Sequence, residues 1–391
     1  MLSIKKMYTP FALLMFSVML LPLFSTASAS AARLVGNAYV MDNNPDGNRV
    51  VVFGRFSNGE LRRFGSVQTG GDGAGDNAPA DPLGSQGSVL LSKNGRTLYV
   101  VNAGSNTVSV FFLTRRGRPI LVQVVNSKGI FPVSLTSDGR VLYVLNSGGD
   151  GTISGYRQNR FGLLLPIPNS ERNLGVGGDG IPVGDARNLA PGSISFDTLE
   201  RRLLITFAGG GANGQLLTFV LEDDNTPSAT PTVTDSEGPV PFTGTFTPNG
   251  TALIAEASGN VSSYNLGPDA ELLNVSSAVP NGQAATCWIQ STSFGVAYTS
   301  NTTSGTITSY LVSRNGVLTL EGPDAADGIG APIDFQLTPN ERFLYVTSSS
   351  DGGVQGFKVN RRTGALRDIG LFPGLTTFDI DGFAPQGMAV R

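Results

Sequence analysis

The stretch Lys93-Asn94-Gly95-Arg96-Thr97-Leu98-Tyr99-Val100-Val101-Asn102-Ala103-Gly104 limits what this chain can fold into, because variants of it return along the whole sequence. An Asn-Gly turn, then an apolar run, then an amide residue and glycine is the pattern of a tight hairpin feeding a buried strand. The same order recurs as Asp138-Gly139-Arg140-Val141-Leu142-Tyr143-Val144-Leu145-Asn146 and as Asn340-Glu341-Arg342-Phe343-Leu344-Tyr345-Val346-Thr347-Ser348. Aligned on the tyrosine, seven copies place Tyr39, Tyr99, Tyr143, Leu204, Leu253, Tyr298 and Tyr345 in one column, at intervals of 44 to 61 residues. Repeats of this length signal a propeller or an array.

Each copy is followed by a second run that ends in an aromatic: Phe53, Phe111, Tyr156, Phe219, Tyr264, Tyr310 and Phe357. A glycine turn and a third run come next in most copies, as at Asn58-Gly59, Arg116-Gly117, Asn315-Gly316 and Thr363-Gly364, and a further strand precedes each Asn-Gly or Asp-Gly turn. Four strands per unit and seven units predict an all-β chain, a seven-bladed β-propeller of four-stranded blades. The first unit lacks its innermost strand, and Gly387-Met388-Ala389-Val390 is left over at the other end. A C-terminal strand completing blade one would close the ring and remove its open edge. No sustained 3.6-residue period appears, which predicts almost no helix.

Ahead of the repeats, Lys5 and Lys6 precede the uncharged run from Phe11 to Phe24, and Ala27-Ser28-Ala29 and Ala29-Ser30-Ala31 offer small-residue cleavage sites. That is the three-part pattern of a secretory signal peptide. The expected organisation is a leader over 1–31, a single propeller domain over 32–391, and a secreted or periplasmic product with no membrane attachment after cleavage. The formal net charge of −3 becomes −5 once Lys5 and Lys6 are removed with the leader. In the sequence, lysine and arginine do not form the clusters that nucleic acid requires, so no nucleic-acid partner is expected. A monomer is expected, with a small-molecule ligand or a protein as its partner. Cys287, the only cysteine, excludes an intrachain disulfide and, beside Trp288, reads as buried packing. Histidine is absent, which excludes Ser-His-Asp and Cys-His catalysis and histidine-ligated metals.

The repeated turn-Arg-x-Leu-Tyr-Val-x-Asn, followed by Val108-Ser109-Val110-Phe111, resembles the lactonase family of seven-bladed propellers, which includes 6-phosphogluconolactonase-like and carboxymuconate-cyclase-like proteins. Pro241 to Gly250 and Ala284-Ala285-Thr286-Cys287-Trp288 resemble its exported bacterial members. The resemblance covers residues 35 to 391 and implies the fold first. For activity it implies the opening of a small lactone, and in the cyclase-like branch a His, Glu and Arg constellation for which this sequence has no histidine.

In a four-stranded meander, the loops from second to third strand and from fourth strand to the next blade share one face. Two long connections, Gly70 to Gln86 and Gly175 to Pro191, belong to that face and begin alike, Gly70-Gly71-Asp72-Gly73 and Gly177-Gly178-Asp179-Gly180. Long loops in a compact domain are commonly functional. The candidate binding residues on that face are Asp72, Asp76, Asp179, Asp185, Glu237 and Asp327, and Asp81, Asp324, Asp334, Asp379 and Asp381 project into it as well. Their carboxylates could hold Ca²⁺ or another divalent cation, with Asp72 and Asp179 foremost, or could close Asx turns in glycine-rich loops. The sharper candidate is Glu256. Three residues after the aligned tyrosine the other copies mostly place Asn, Asp or Ser, and this copy has a carboxylate. As a catalyst, Glu256, Arg187 or a loop carboxylate could activate water on a small cyclic ester; as a structural residue, Glu256 would close a strand end as the asparagines do.

Overall fold

The structure, a computed structural model, describes residues 32–75, 81–175, 190–377, 380 and 382–391. Blade 1 contains β1 (Leu34–Met41), β2 (Arg49–Phe56) and β3 (Leu61–Gln68). Blade 2 contains β4 (Val89–Leu91), β5 (Thr97–Asn102), β6 (Thr107–Leu113) and β7 (Pro119–Asn126), and blade 3 opens with β8 (Pro132–Ser137), β9 (Val141–Asn146) and β10 (Thr152–Gln158). The outermost place of blade 3 is shared by β11 (Leu164–Pro166) and β12 (Arg172–Asn173), both paired to β10. Pro166 and Pro168 fall where they meet, and a proline has no N–H to continue a ladder.

Blade 4 is β13 (Pro191–Phe196), β14 (Arg202–Phe207), β15 (Gln215–Val220) and β16 (Thr232–Asp235); blade 5 is β17 (Pro241–Phe246), β18 (Thr251–Glu256), β19 (Asn260–Leu266) and β20 (Leu272–Pro280). Blade 6 is β21 (Thr286–Ser291), β22 (Val296–Asn301), β23 (Thr306–Val312) and β24 (Leu318–Ala326); blade 7 is β25 (Pro332–Leu337), β26 (Phe343–Ser348), β27 (Gly353–Val359) and β28 (Leu366–Pro373). The last strand, β29 (Gln386–Val390), pairs antiparallel with β1, so blade 1 has the order β29-β1-β2-β3. The expected closure is what the chain does. Innermost strands of successive blades pack on one another all the way round.

Both aligned columns face the gaps between blades. Phe53, Phe111, Tyr156, Phe219, Tyr264, Tyr310 and Phe357 are at most 2% exposed, and each such side chain contributes roughly 1.5–3 kcal/mol by leaving water. The column of tyrosines adds a directed bond. Tyr39 Oη donates to the carbonyl of Gly117 (2.7 Å), Tyr99 to Gly162 (2.9 Å), Tyr143 to Asn225 (2.6 Å), Tyr298 to Gly364 (2.6 Å) and Tyr345 to Gly59 (2.8 Å). Each bond runs from the second strand of one blade to the turn between third and fourth strands of the next, and the last joins blade 7 to blade 1. The accepting residues all have positive φ, from 65° at Asn225 to 95° at Gly59, a conformation that glycine and asparagine tolerate. In blade 5, where the column holds Leu253, Ser263 Oγ reaches Gly316 instead, at 2.7 Å.

Burial pushes the Tyr39 phenol up to about 12 and raises Tyr99, Tyr143, Tyr298 and Tyr345 as well. These hydroxyls therefore stay protonated donors through any working pH. A chain ending at Pro385 is expected to lose the cooperative unfolding transition of the intact ring, because blade 1 then has no innermost strand. Tyr345→Phe is expected to cost about 1–2 kcal/mol by leaving the Gly59 carbonyl without its donor. Thermal and urea denaturation read both; an unchanged midpoint in the truncated chain would show that β29 closes nothing.

Candidate functional site at the loop-rich face

The meander places the second-to-third-strand loops and the connections to the next blade on one face, and the structure packs them onto each other. Asn102, at the end of β5, donates through Nδ2 to Thr107 and Ser109, while Ser109 Oγ donates to the carbonyl of Thr69 in the connection leaving blade 1. Gly71 of that connection lies so close that a Cβ there would strike the Asn102 amide. Asn146 lies beneath Gly129 in the same way. The Asn, Glu and Ser residues of the column thus sit against the incoming connections of blades 2, 3, 5, 6 and 7.

Glu256, at the end of β18, occupies that place in blade 5. It is fully buried. Its Oε1 accepts from Ser262 Oγ (2.6 Å), the N–H of Gly238 (2.9 Å) and Ser236 Oγ (3.4 Å), and its Oε2 is buried without a partner. Gly238 has no side chain because the carboxyl fills the space where a Cβ would stand. Burial pushes the carboxyl up to about 7, against the three hydrogen bonds that favour the charged form and with a further push from Glu237. In this arrangement the Glu256 carboxyl is closed off from solvent.

The first long connection was expected to rim the channel mouth; instead its second half descends into the channel. Leu83 and Ser85 are 2% and 0% exposed. The Leu83 N–H donates to Gln386 Oε1 and the Ser85 carbonyl accepts from Gln386 Nε2, both at 2.8 Å, which ties the segment to the closing strand of blade 1. Ser85 Oγ donates to the carbonyl of Val133 in blade 3, and the Gln86 N–H to the carbonyl of Gly192 in blade 4. Trp288 Nε1 of blade 6 donates to the Ser85 carbonyl at 2.8 Å, and the Gln86 amide pairs with both backbone groups of Ile289. Phe242 meets the Trp288 ring edge-on, with centroids 5.5 Å apart. Residues 81–88 are a plug held by most of the ring.

Asp72 is exposed, with its backbone joined to Gly104 and Ser105 of blade 2. Glu237, Asp324 and Asp327 are also exposed. Asp81 caps the Gly84 N–H, and Asp334 is buried in β25, where lost hydration raises its carboxyl well above the usual range. Asp76, Asp179, Asp185, Arg187, Asp379 and Asp381 lie outside the described residues. No three His, Cys, Asp or Glu side chains gather as a metal site among the described residues.

A family model for the lactonase seven-bladed β-propeller matches residues 38–170 and 214–373, well over half of the chain. The chain belongs to the lactonase family of seven-bladed β-propellers. No curated protein matches it significantly. Similar solved structures include the periplasmic gluconolactonase of Pseudomonas aeruginosa, 16% identical with a TM-score of 0.69, covering 91% of this chain and 98% of that one. A Bacteroides uniformis protein, provisionally named a 6-phosphogluconolactonase, is 19% identical with a TM-score of 0.69 over 91% and 99% of the two chains. Its Bacteroides fragilis counterpart, named in the same provisional way, is 18% identical with a TM-score of 0.67 over 91% and 98%. At these identities the likeness is one of fold.

For this lactonase-family propeller the sequence reading found Glu256 as an outlier in its column and did not find the plug. Trp288 and Gln386 were visible only as an isolated aromatic and the start of the closing strand, and their partner Ser85 is about 200 and 300 residues away. Cys287 is buried and free, with burial raising its thiol. Glu256 generates a test by pH. Its folded value lies above the ordinary value of 4.5, so the folded protein holds the proton more tightly than the unfolded chain does. That stability is complete below about pH 4.5 and is lost as pH rises through about 7, amounting to roughly 3 kcal/mol. Denaturation from pH 4 to 8 is expected to show wild type losing stability relative to Glu256→Gln; parallel curves would mean that Glu256 is not the buried acid described.

Proposed function

We propose that this propeller is an exported protein that binds a small polyhydroxylated ligand at its loop-rich face, without catalysis by Glu256. One observation carries the reading: residues 81–88 give the mouth a floor, and the glutamate selected by the repeat is sealed beneath Gly238. A general base has to come within hydrogen-bond reach of the proton it takes. The exposed carboxylates Asp72, Glu237 and Asp327 on this face suit hydroxyl donors. The leader pattern over 1–31 supports export, and the ring with its closing strand supports a monomer.

A second reading, the opening of a small lactone, is favoured by the family and by relatives named as gluconolactonases. In that reaction water adds to the ester carbonyl, the ring C–O bond breaks, and a hydroxy acid with one released proton results. D-glucono-δ-lactone tests both, with calorimetry for binding and a pH-stat for acid release above the spontaneous rate, in added Ca²⁺ and in chelator. The expected outcome is saturable binding with no enhanced acid release, unchanged in Glu256→Gln. Enhanced release that survives Glu256→Gln would support the second reading. Enhanced release that falls by about 10²-fold in that variant, the scale of general-base loss, would overturn the assignment of Glu256, and absence of binding across a panel of sugar lactones would overturn the first reading.

A further inference from the structure

The face opposite the loops carries a cleft between blades 1 and 2 of about 420 Å³, a size in the range of small-ligand sites. Blade 1 gives it an apolar wall of Leu34, Val52, Phe64 and Val67, and blade 2 lines it with Arg116 and Arg118. Phe64 is the extra residue of the bulge between β2 and β3 and is 55% exposed. Its ring rests against Gly54, where a Cβ would collide with it. Leu34 beside it is 45% exposed. Neither arginine has an ion-pair partner among the described residues.

Asn37 also lines the cleft, is 2% exposed, and has a buried amide nitrogen with no partner. It stands two residues before the aligned tyrosine, where the other blades have Thr97, Val141, Arg202, Thr251, Val296 and Phe343. None of those leaves a buried polar side-chain atom unpaired. Gly117, between the two arginines, packs directly against the Asn37 amide, and a side chain on it would strike that group. An unmade buried donor, two free guanidinium groups and an open aromatic therefore converge on one turn.

We propose that this cleft binds a small amphiphilic anion, its carboxylate held by Arg116, Arg118 and Asn37 and its hydrocarbon body laid along Phe64 and Leu34. Guanidinium groups hold carboxylates through charge-assisted hydrogen bonds, and the apolar wall selects a chain over a bare anion. The site is separate from the loop-rich face and does not depend on the reading given for that face. Titration calorimetry of the mature chain with decanoate, below its micelle concentration, tests it, with decyltrimethylammonium as the matched cation.

Decanoate is expected to bind saturably, and the cation is not. The exposed double variant Arg116→Gln/Arg118→Gln should weaken decanoate by about tenfold or more while the melting temperature stays unchanged. Phe64→Ser should weaken decanoate and not alter its preference over the cation. Equal binding of both amphiphiles, an unaffected double variant, or no saturable binding would overturn the proposal. So would sedimentation with phosphatidylglycerol vesicles in the absence of any binding to free decanoate, which would assign the arginines to a lipid surface.

Discussion

The ring is drawn together by a hydrogen bond that five of its blades hand to the next. A tyrosine hydroxyl, buried and held in its protonated form, meets the carbonyl of a left-handed turn residue in the following blade. The bond needs three things at once: a phenol long enough to cross the gap, a turn residue that tolerates positive φ, and an open space in front of that turn. Where the tyrosine is missing, as in blade 5, a serine from the neighbouring strand makes the bond to Gly316. Apolar packing between blades is adaptable and would admit sliding. A directed bond of this kind is made at six interfaces, Leu204 of blade 4 making none, and adds a fixed direction to that packing.

Most of this was legible in the chain because it repeats. The tyrosine column, the aromatic that ends the following strand and the surplus strand at Gly387 gave the blade count and the closure, each visible within a short span of sequence. What was not legible is what happens once. The plug has no counterpart among the described residues of the other blades, and its partners Gln386, Trp288 and Gly192 come from three different blades. No local pattern marks such a set, since side-chain bonds to distant carbonyls leave no periodic trace. Blade 3 shows the converse limit: its outer strand is broken by Pro166 and Pro168, which a strand count based on the other copies passes over.

Glu256 shows how a correct sequence signal can carry two meanings. The alignment singled it out because a glutamate stands where the other copies mostly place Asn, Asp or Ser. The structure gives it the work of those residues, fastening an incoming connection through Gly238 and Ser236. A carboxylate in that place is costly, because burial without a cation raises its proton affinity. The raised proton affinity makes this fastening one that holds best with the carboxyl protonated. The same comparison across blades drew attention to Asn37, whose neighbours in the column are satisfied and which is not.

The plug also bears on the order in which the molecule can be assembled. Residues 81–88 leave the ribosome before any of blades 3 to 7 exists. Its hydrogen-bond partners in blades 3, 4 and 6, and finally in the closing strand, arrive one after another. The plug's bonds are thus complete only when the last strand, with Gln386, is in place, so a segment made early depends on the final residues for its hold.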